Sequence, residues 1–463
     1  MLLHEDRLFP ADPSARRVAK ALYAQVKNLP IVSPHGHTTA AWWADNTPFS
    51  DPATLFVQPD HYVFRMLYSQ GVDLDTLGIG QAKIENPREV WRIFAKHYYL
   101  FRGTPSRLWL DYSFQELFGM TERLSEKNAD LYYDTIDAAL KTPEFLPRAL
   151  FERLNIELLS TTDSPLDSLD AIKKIRASGW KGRILPAFRP DPVVDADYIG
   201  FHENLLELGR LWKEDTSTWK GYLNALRKAR RFFIEQGCTS TDHGHLTALT
   251  ADLPEAEATA LYARIFSGQS TKAEQELFRA QMLTEMAGMS VADGLTMQIH
   301  PGSVRNHNPF IYEKYGRDKG CDIPSATEYV QALRPLLAKY GNNAKLTIIL
   351  FTLDETSYSR ELAPLAGHYP ALRLGPSWWF HDSPEGMMRF REQATETAGF
   401  YNTVGFNDDT RAFLSIPARH DVARRVDCAF LGRLVAEHRL EEDEASEVAH
   451  ALTYGLVKKA YHL

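Results

Sequence analysis

The stretch at residues 29–37, Leu-Pro-Ile-Val-Ser-Pro-His-Gly-His, combines a short apolar run with two closely spaced histidines. The β-branched pair Ile31 and Val32 lies between prolines, which predicts a short buried strand that runs into a loop. Alternate side chains of an extended backbone point to the same face, so His35 and His37 can converge on one point. The spacing therefore predicts a divalent metal site at the carboxyl end of the first strand.

The His-Gly-His spacing alone is weak evidence for a metal, because two polar loop histidines would give the same pattern. A second His-Gly-His lies at His243 and His245. We predict that His245 is a loop residue, and we assign no role to His243. The first copy is the stronger candidate because it follows the first predicted strand of a long α/β chain.

Composition and charge narrow the class of protein. The chain has 463 residues, of which 44% are hydrophobic and 24% charged, as is ordinary for a soluble globular protein. The formal net charge of −8 gives no general attraction to nucleic acid, so an anionic ligand would need a local arginine cluster. The three cysteines are far apart, the N-terminus lacks the apolar centre of a signal peptide, and no run approaches the ~18 apolar residues of a membrane span. We predict a cytoplasmic protein with no nucleic-acid or membrane partner.

Short apolar runs alternate with helical patterns along most of the chain, which argues for a parallel sheet. The predicted strands are residues 31–32, 156–162, 183–188, 238–241, 295–299, 345–350, 371–374 and 400–404. Eight strands favour a single (β/α)8 TIM-like barrel over residues 1–463, with function at the carboxyl ends of the strands. Residues 41–150 are rich in aromatics and helix formers and predict a large helical insertion after strand one, and 254–290 predict a further helical insertion.

Polar side chains follow several of these strands. His35 and His37 follow strand one, His300 follows strand five, and Asp409 follows strand eight. This arrangement resembles the metal site of the amidohydrolase superfamily, and within it the chain resembles the uronate isomerase (glucuronate isomerase) family. The resemblance covers almost the whole chain and rests on the following segments: Asp60-His61-Tyr62 with Arg65, Thr162-Asp163, Arg189-Pro190-Asp191, Thr241-Asp242-His243-Gly244, Gln298-Ile299-His300 with Arg305-Asn306, Trp378-Trp379-Phe380, and Asp409-Thr410-Arg411 before Phe413-Leu414-Ser415.

Two positions depart from the family pattern. Pro34-His35-Gly36-His37 differs around the histidines from the common Asp-x-His-x-His form, and Thr410 stands where many relatives carry serine. The first departure concerns the groups around the metal more than the metal itself. Strand six, Lys-Leu-Thr-Ile-Ile-Leu at residues 345–350, supplies no histidine for a second metal, which points to one metal ion.

The resemblance implies an aldose–ketose isomerase that interconverts D-glucuronate with D-fructuronate and D-galacturonate with D-tagaturonate. The substrate would be a small open-chain hexuronate, and the reaction would pass through an enediol. The implied ligands of one divalent metal are His35, His37 and Asp409. Imidazole and carboxylate groups suit Zn²⁺, with Mn²⁺, Fe²⁺ and Co²⁺ as alternatives.

Three residues are candidates for catalysis, and each has an alternative role. His300 is either a metal ligand or a substrate contact, and a buried, hydrogen-bonded histidine is the simpler alternative. Asp409 could also act as the base, with Tyr62 as the partner acid. Packing within the aromatic-rich insertion is the alternative for Tyr62.

Arginines and tryptophans are the candidate substrate contacts. Arg189 and Arg411 could grip a carboxylate, because a guanidinium group matches it in two hydrogen bonds, and the resemblance adds Arg65. A surface ion pair is the usual alternative for an arginine. Trp378 or Trp379 could stack on the sugar, with core packing as the alternative.

Two other functions fit parts of the pattern. A mononuclear metal-dependent amidohydrolase acting on an amide or ester could use the same histidines and aspartate to activate water, but the missing histidine of strand six argues against it. A non-catalytic sugar-acid-binding protein would not explain a metal cluster beside a potential proton donor. Assembly into a homo-oligomer is left open.

Overall fold

The computed structural model describes residues 2–81 and 83–463. Its main sheet is curled and contains seven parallel strands in the order β1-β2-β3-β4-β5-β8-β9. A separate antiparallel pair, β6 and β7, lies in the connection that follows β5. The strands are β1 Ile31–Ser33, β2 Ile156–Asp163, β3 Arg183–Phe188, β4 Ser240–His243, β5 Thr296–Ile299, β6 Ser303–Val304, β7 Ile323–Pro324, β8 Ile348–Leu350 and β9 Leu372–Leu374.

Helices follow the strands and cover the outside of the curled sheet. They are α1 Pro13–Val26, α2 Ala41–Asp45, α3 Pro52–Phe56, α4 His61–Tyr68, α5 Pro87–Lys96, α6 Pro105–Phe118, α7 Ala129–Leu140, α8 Pro147–Arg153, α9 Asp170–Ala177, α10 Asp191–Val194, α11 Phe201–Trp212, α12 Trp219–Glu235, α13 Glu255–Phe266, α14 Lys272–Asp293, α15 Pro309–Tyr315, α16 Arg334–Tyr340, α17 Ala363–Ala366, α18 Pro384–Ala398, α19 Ile416–Ala436, α20 Glu442–His450 and α21 Leu456–Tyr461. Short 3-10 turns lie at Asp75–Leu77, Tyr98–Phe101, Glu126–Asn128, Pro143–Phe145 and Phe413–Ser415, and π turns at Tyr358–Leu362 and Ala451–Gly455. No helix in the described parts of the chain is long and apolar enough to cross a membrane.

The predicted eighth strand is not a full strand in the structure. Thr403 forms a single parallel bridge with Leu374, so the sheet has seven strands rather than eight, and a closed eight-stranded barrel is not confirmed. The segment is short because glycines in the left-handed conformation flank it, Gly399 at φ 66° and Gly405 at φ 79°. Only two backbone hydrogen bonds, from Leu374 to Asn402 (2.8 Å) and from Val404 to Leu374 (3.1 Å), hold it against β9.

The concave side of the sheet is filled by side chains from alternate positions of different strands. Val32, Leu158 and Ile349 belong to one buried cluster there, and α21 adds Tyr461. The Tyr461 hydroxyl donates to Gln298 on β5 at 2.8 Å, so α21 covers the amino end of the sheet. The polar side chains lie at the opposite, carboxyl end of the sheet.

The helices α2 to α8 occupy the region between β1 and β2 and pack through a dense aromatic core. The Trp91 ring lies 6.0 Å from that of Phe114, in an edge-to-face arrangement typical of buried aromatic pairs. This core fixes α4, whose first turn is capped by Asp60 accepting from the Tyr62 backbone amide at 2.9 Å. The cap orients the start of α4, and with it Tyr62, relative to the carboxyl end of the sheet.

Candidate active site

Two histidines and one aspartate form a cluster that could hold a metal ion. One donor atom from each of His35, His37 and Asp409 lies within 4.8 Å of the others. His35 Nε2 and His37 Nε2 lie 3.2 Å and 3.1 Å from the same oxygen, Asp409 Oδ1. Ligands at about 2.1 Å around a tetrahedral ion are roughly 3.4 Å apart, so the observed spacing fits a metal with little adjustment.

Local structure holds this cluster in place. Asp409 has a left-handed backbone at φ 43°, a conformation that aspartate tolerates better than most residues. Its Oδ2 accepts a hydrogen bond from the Trp378 indole nitrogen, which leaves Oδ1 facing the histidines. The His37 backbone amide donates to Thr410 at 3.1 Å and ties the loop after β1 to the loop that carries Asp409.

The electrostatics of the cluster favour an ionised carboxylate. Burial acts to raise the pKa of Asp409, but His35 and His37 outweigh burial and hold this pKa well below its usual range. Among the described residues Asp409 Oδ1 is buried without a hydrogen bond of good geometry. Buried polar atoms normally have a partner, so this oxygen agrees with a cation in the cluster.

Asp242 is a fully buried carboxylate that joins three of the predicted site residues. Its Oδ1 lies 2.7 Å from His300 Nε2 and 3.8 Å from His35 Nδ1, and its Oδ2 lies 3.3 Å from Arg189 Nη1. Burial acts to raise the pKa of Asp242, but His300, His35 and Arg189 hold this pKa well below its usual range. The charge of Asp242 therefore fixes the orientation of residues from three different strands.

A cavity of about 310 Å³ opens at the carboxyl end of the sheet, next to the metal cluster. The predicted site residues that line it are His37, Tyr62, Arg189, His300, Trp378, Trp379, Asp409 and Arg411. His35 and Arg65 lie behind these walls rather than among the described lining residues. Arg65 instead stacks over the rings of Phe380 (4.8 Å) and Tyr62 (5.1 Å).

The cavity walls carry both arginines and carboxylates. Arg189 donates to Asp191 at 2.8 Å as well as contacting Asp242. Arg411 lies 3.4 Å from Asp318, and both side chains are partly exposed. The arrangement places several guanidinium groups around one small space, which favours an anionic ligand.

The two adjacent tryptophans have different surroundings. Trp378 is buried, donates to Asp409, and lies 5.1 Å from the His300 ring. Trp379 is half-buried, and the guanidinium group of Arg305 lies 5.3 Å from its ring. Trp378 therefore holds Asp409 directly, while Trp379 forms an aromatic wall.

Tyr62 is held by a buried network rather than by packing alone. Its hydroxyl donates to Asp382 Oδ1 at 2.9 Å and accepts from the Phe380 backbone amide at 2.8 Å. Arg419 donates to the other oxygen of Asp382 at 2.7 Å and lies over the Trp109 ring. Burial first, and then Asp382, raises the pKa of Tyr62 well above its ordinary value, so the hydroxyl keeps its proton.

The second His-Gly-His borders the cavity through Gly244, whereas its two histidines do not line it. His243 is the last residue of β4, and its Nε2 contacts Thr241 Oγ1 at 3.0 Å. His245 lies in the following loop and is buried. Neither is among the described residues that line the cavity or group with the metal cluster.

Several residues of the site were not assigned a role from the sequence. They are His61, Asp163, Asp191, Asp242, Arg305, Asp318, Asp382 and Arg419. Asp163 and Asp242 end strands β2 and β4 or lie next to their ends, so position at a strand terminus was an available signal. Asp318, Asp382 and Arg419 lie on connections or helices, and no local pattern marks them.

Comparisons with known proteins agree with this geometry. A family model described as glucuronate isomerase matches residues 13–461. A uronate isomerase from Rhizorhabdus wittichii is 64% identical over 461 residues, covering 100% of this chain and 98% of the relative. The crystal structure of a glucuronate isomerase from Caulobacter crescentus superposes with a TM-score of 0.98 at 61% identity, covering 99% of this chain and 97% of the other.

A more distant structure shows the same architecture. The uronate isomerase from Thermotoga maritima is 30% identical and superposes with a TM-score of 0.93 over 100% of both chains. The match therefore extends across the sheet, the helices α2 to α8 and the loops of the cavity. The chain belongs to the glucuronate isomerase family.

Proposed function

We propose that the protein is an aldose–ketose isomerase of hexuronates, which interconverts D-glucuronate with D-fructuronate and D-galacturonate with D-tagaturonate. The observation that carries the proposal is that the His35–His37–Asp409 cluster adjoins a small cavity that also holds Arg189 and Arg411. A metal-binding cluster beside guanidinium groups suits a substrate with a carbonyl at one end and a carboxylate at the other. The high identity to uronate isomerases over the full chain supports the same activity.

We propose that His35, His37 and Asp409 hold one divalent metal ion, with Zn²⁺ as the favoured ion for two imidazoles and a carboxylate. When bound, the ion would polarise the C1 carbonyl and orient the open-chain sugar. His300 stays a candidate for either a ligand or a substrate contact, because its Nε2 faces Asp242 rather than the His35–His37–Asp409 cluster. Mn²⁺, Fe²⁺ and Co²⁺ remain alternatives.

Arginines hold the acid end of the proposed substrate. Arg411 projects from the loop that carries Asp409, and Arg189 follows β3 and is fixed by Asp191 and Asp242. A fixed guanidinium group loses little freedom on binding a carboxylate, which favours Arg189 as a precise contact. Trp379 offers a flat apolar wall for the sugar carbons, whereas Trp378 is committed to Asp409.

As the carbonyl moves from C1 to C2, the C2 proton is removed, a proton is delivered to C1, and the O2 hydroxyl proton passes to O1. The base and the acid then recover their starting protonation states by exchange with solvent. We propose that Asp409 removes the C2 proton, since its carboxylate is ionised and lies at the cavity wall. Tyr62 is the proposed partner acid because it lines the same cavity. Rotation about the phenol C–O bond would redirect its proton from Asp382 towards the substrate.

The hydrolase alternative is not favoured. The closely similar relatives are uronate isomerases, and strand β8 ends in Leu350 without a histidine for a second metal. The two functions are separated by an assay that offers D-glucuronate, D-galacturonate and a panel of amides to the purified protein. The proposal predicts ketose formation without consumption of a nicotinamide, and amide hydrolysis without uronate turnover would refute it.

We also propose that the fold is a (β/α)8 barrel in which residues 400–404 take the eighth strand position. The bridge between Leu374 and Thr403 supports that position on one side. On the other side the hydrogen bond from His37 to Thr410 joins the loop after β1 to the loop after this segment. Residues 41–150 are then a helical insertion in one domain that spans residues 1–463.

A further inference from the structure

The connection between β5 and α16 forms one wall of the cavity, and we call its residues 301–326 the cap segment. It contains the β6–β7 pair and α15. The cavity-lining residues that it supplies are Arg305, Arg317, Asp318, Gly320 and Asp322. The connections after β1 and β3 supply as many described lining residues, so the cap segment is one of several walls that determine which molecules enter the cavity.

The cap segment is docked on the helical insertion at two places. At its outer side Lys314 lies 2.5 Å from Asp75. Near its tip Gly320 has φ +73°, and a Cβ there would lie 3.0 Å from the Cβ of Arg65. The close approach at Gly320 holds the neighbouring Asp318 over the mouth of the cavity.

The carboxylate of Asp318 faces the arginines of the site. Its Oδ2 lies 3.4 Å from Arg411 Nη2. Burial acts to raise the pKa of Asp318, but Arg411, Arg305 and Arg189 outweigh burial and lower this pKa. A carboxylate from the protein thus sits among the guanidinium groups that would attract a carboxylate from a ligand.

We propose that Asp318 is a specificity-determining residue: it pairs with Arg411, and the carboxylate of a sugar acid displaces it from that arginine. The inference rests on the proposed function and deepens it. A neutral sugar has no group that can replace Asp318 on Arg411, so the Asp318–Arg411 ion pair remains intact in its presence. A uronate exchanges one ion pair for another and gains the contacts deeper in the cavity.

Asp318→Asn tests this competition because it removes the charge and keeps the shape. An exposed ion pair is worth about 0.2–1 kcal/mol, so KM for D-glucuronate should fall by roughly 1.5- to 5-fold. Calorimetric titration of the variant with D-glucuronate should show the same gain in affinity. A KM that is unchanged or raised would overturn the inference, since a raised value means that Asp318 positions Arg411 for substrate.

Asp75→Asn is the matched control, because it breaks the outer contact with Lys314 and leaves Asp318 in place. Its KM should equal that of the unaltered protein. If Asp75→Asn reproduced the lower KM, loosening of the cap segment rather than removal of a competing charge would explain the result. Unaltered protein that turns over no uronate would refute the proposed function itself, whereas normal turnover with no gain in Asp318→Asn refutes only this inference.

Discussion

The carboxyl group of Asp163, at the end of β2, gives a stability prediction whose sign is unusual for an aspartate. Burial raises the pKa of Asp163 to about 6, against an ordinary value of 3.8, and the hydrogen bond from Thr161 Oγ1 (2.6 Å) only partly opposes this. Between these two values the folded protein binds a proton that the unfolded chain has already released. The stability of the unaltered protein should therefore fall as the pH rises from about 4 to about 6.

Asp163→Asn removes this titration and keeps an acceptor for Thr161. The difference of about two pKa units corresponds to ~3 kcal/mol, and partial exposure to the cavity reduces this to about 1–3 kcal/mol. The variant should equal the unaltered protein in stability below pH 4 and exceed it above pH 6. Urea unfolding followed by circular dichroism at several pH values measures the free energy of unfolding directly.

Glu396→Gln is the control, since Glu396 is exposed on α18 and undergoes the same change from carboxylate to amide. Its stability should follow that of the unaltered protein at every pH. The reasoning would be refuted if the free energy of unfolding of Asp163→Asn and of the unaltered protein changed in parallel with pH. That result would mean that Asp163 ionises in the folded protein as it does in water. A stability gain of Asp163→Asn at neutral pH, together with weaker uronate binding, would assign the ionised carboxylate to the substrate site.

Three further predictions concern the reaction. His35→Ala or His37→Ala should lower bound metal well below one ion per chain in elemental analysis, because each removes a ligand, while His245→Ala should leave the metal content unchanged. Tyr62→Phe removes only the hydroxyl and should lower kcat by roughly 10²-fold or more. Full activity of this variant would indicate that Tyr62 has only a packing role. Turnover in D₂O should place deuterium at C1 of the ketose and, in reverse, at C2 of the aldose, and complete retention of the substrate hydrogen would instead indicate direct hydride transfer.

Most of the parallel strands could be predicted because they are short apolar runs bounded by turn residues or charges. The exception is β4, Ser240–His243, which is polar and overlaps the predicted 238–241 by only two residues. The prediction for 183–188 matches β3, and that for 295–299 differs from β5 by one residue. The prediction for 400–404 rested on the same apolar pattern. It did not include the left-handed glycines at both ends, which limit the pairing of that segment with β9.

The convergence of His35, His37 and Asp409 could be predicted because these residues follow strands or strand-like segments, where chain position nearly determines location. His35 and His37 follow β1 by only a few residues, and a parallel sheet brings such positions to one edge. The role of Asp242 could not be predicted in the same way. Its contacts come from residues after β1, β3 and β5, and their convergence depends on strand register rather than on any local pattern.

The division between strand ends and inserted segments also separates two kinds of function. His35, His37 and Asp242 lie at or just after the ends of strands that the buried sheet holds rigidly, so substitutions there should change the rate of reaction. Tyr62 depends on Asp382 and Arg419, which lie beyond β9 and in α19, and its position therefore depends on how the helical insertion docks. The cap segment is further from the sheet and contacts the insertion through few side chains. Variation among relatives that changes the preferred uronate should therefore concentrate in the cap segment and its partners on α4, while the strand ends retain their chemistry.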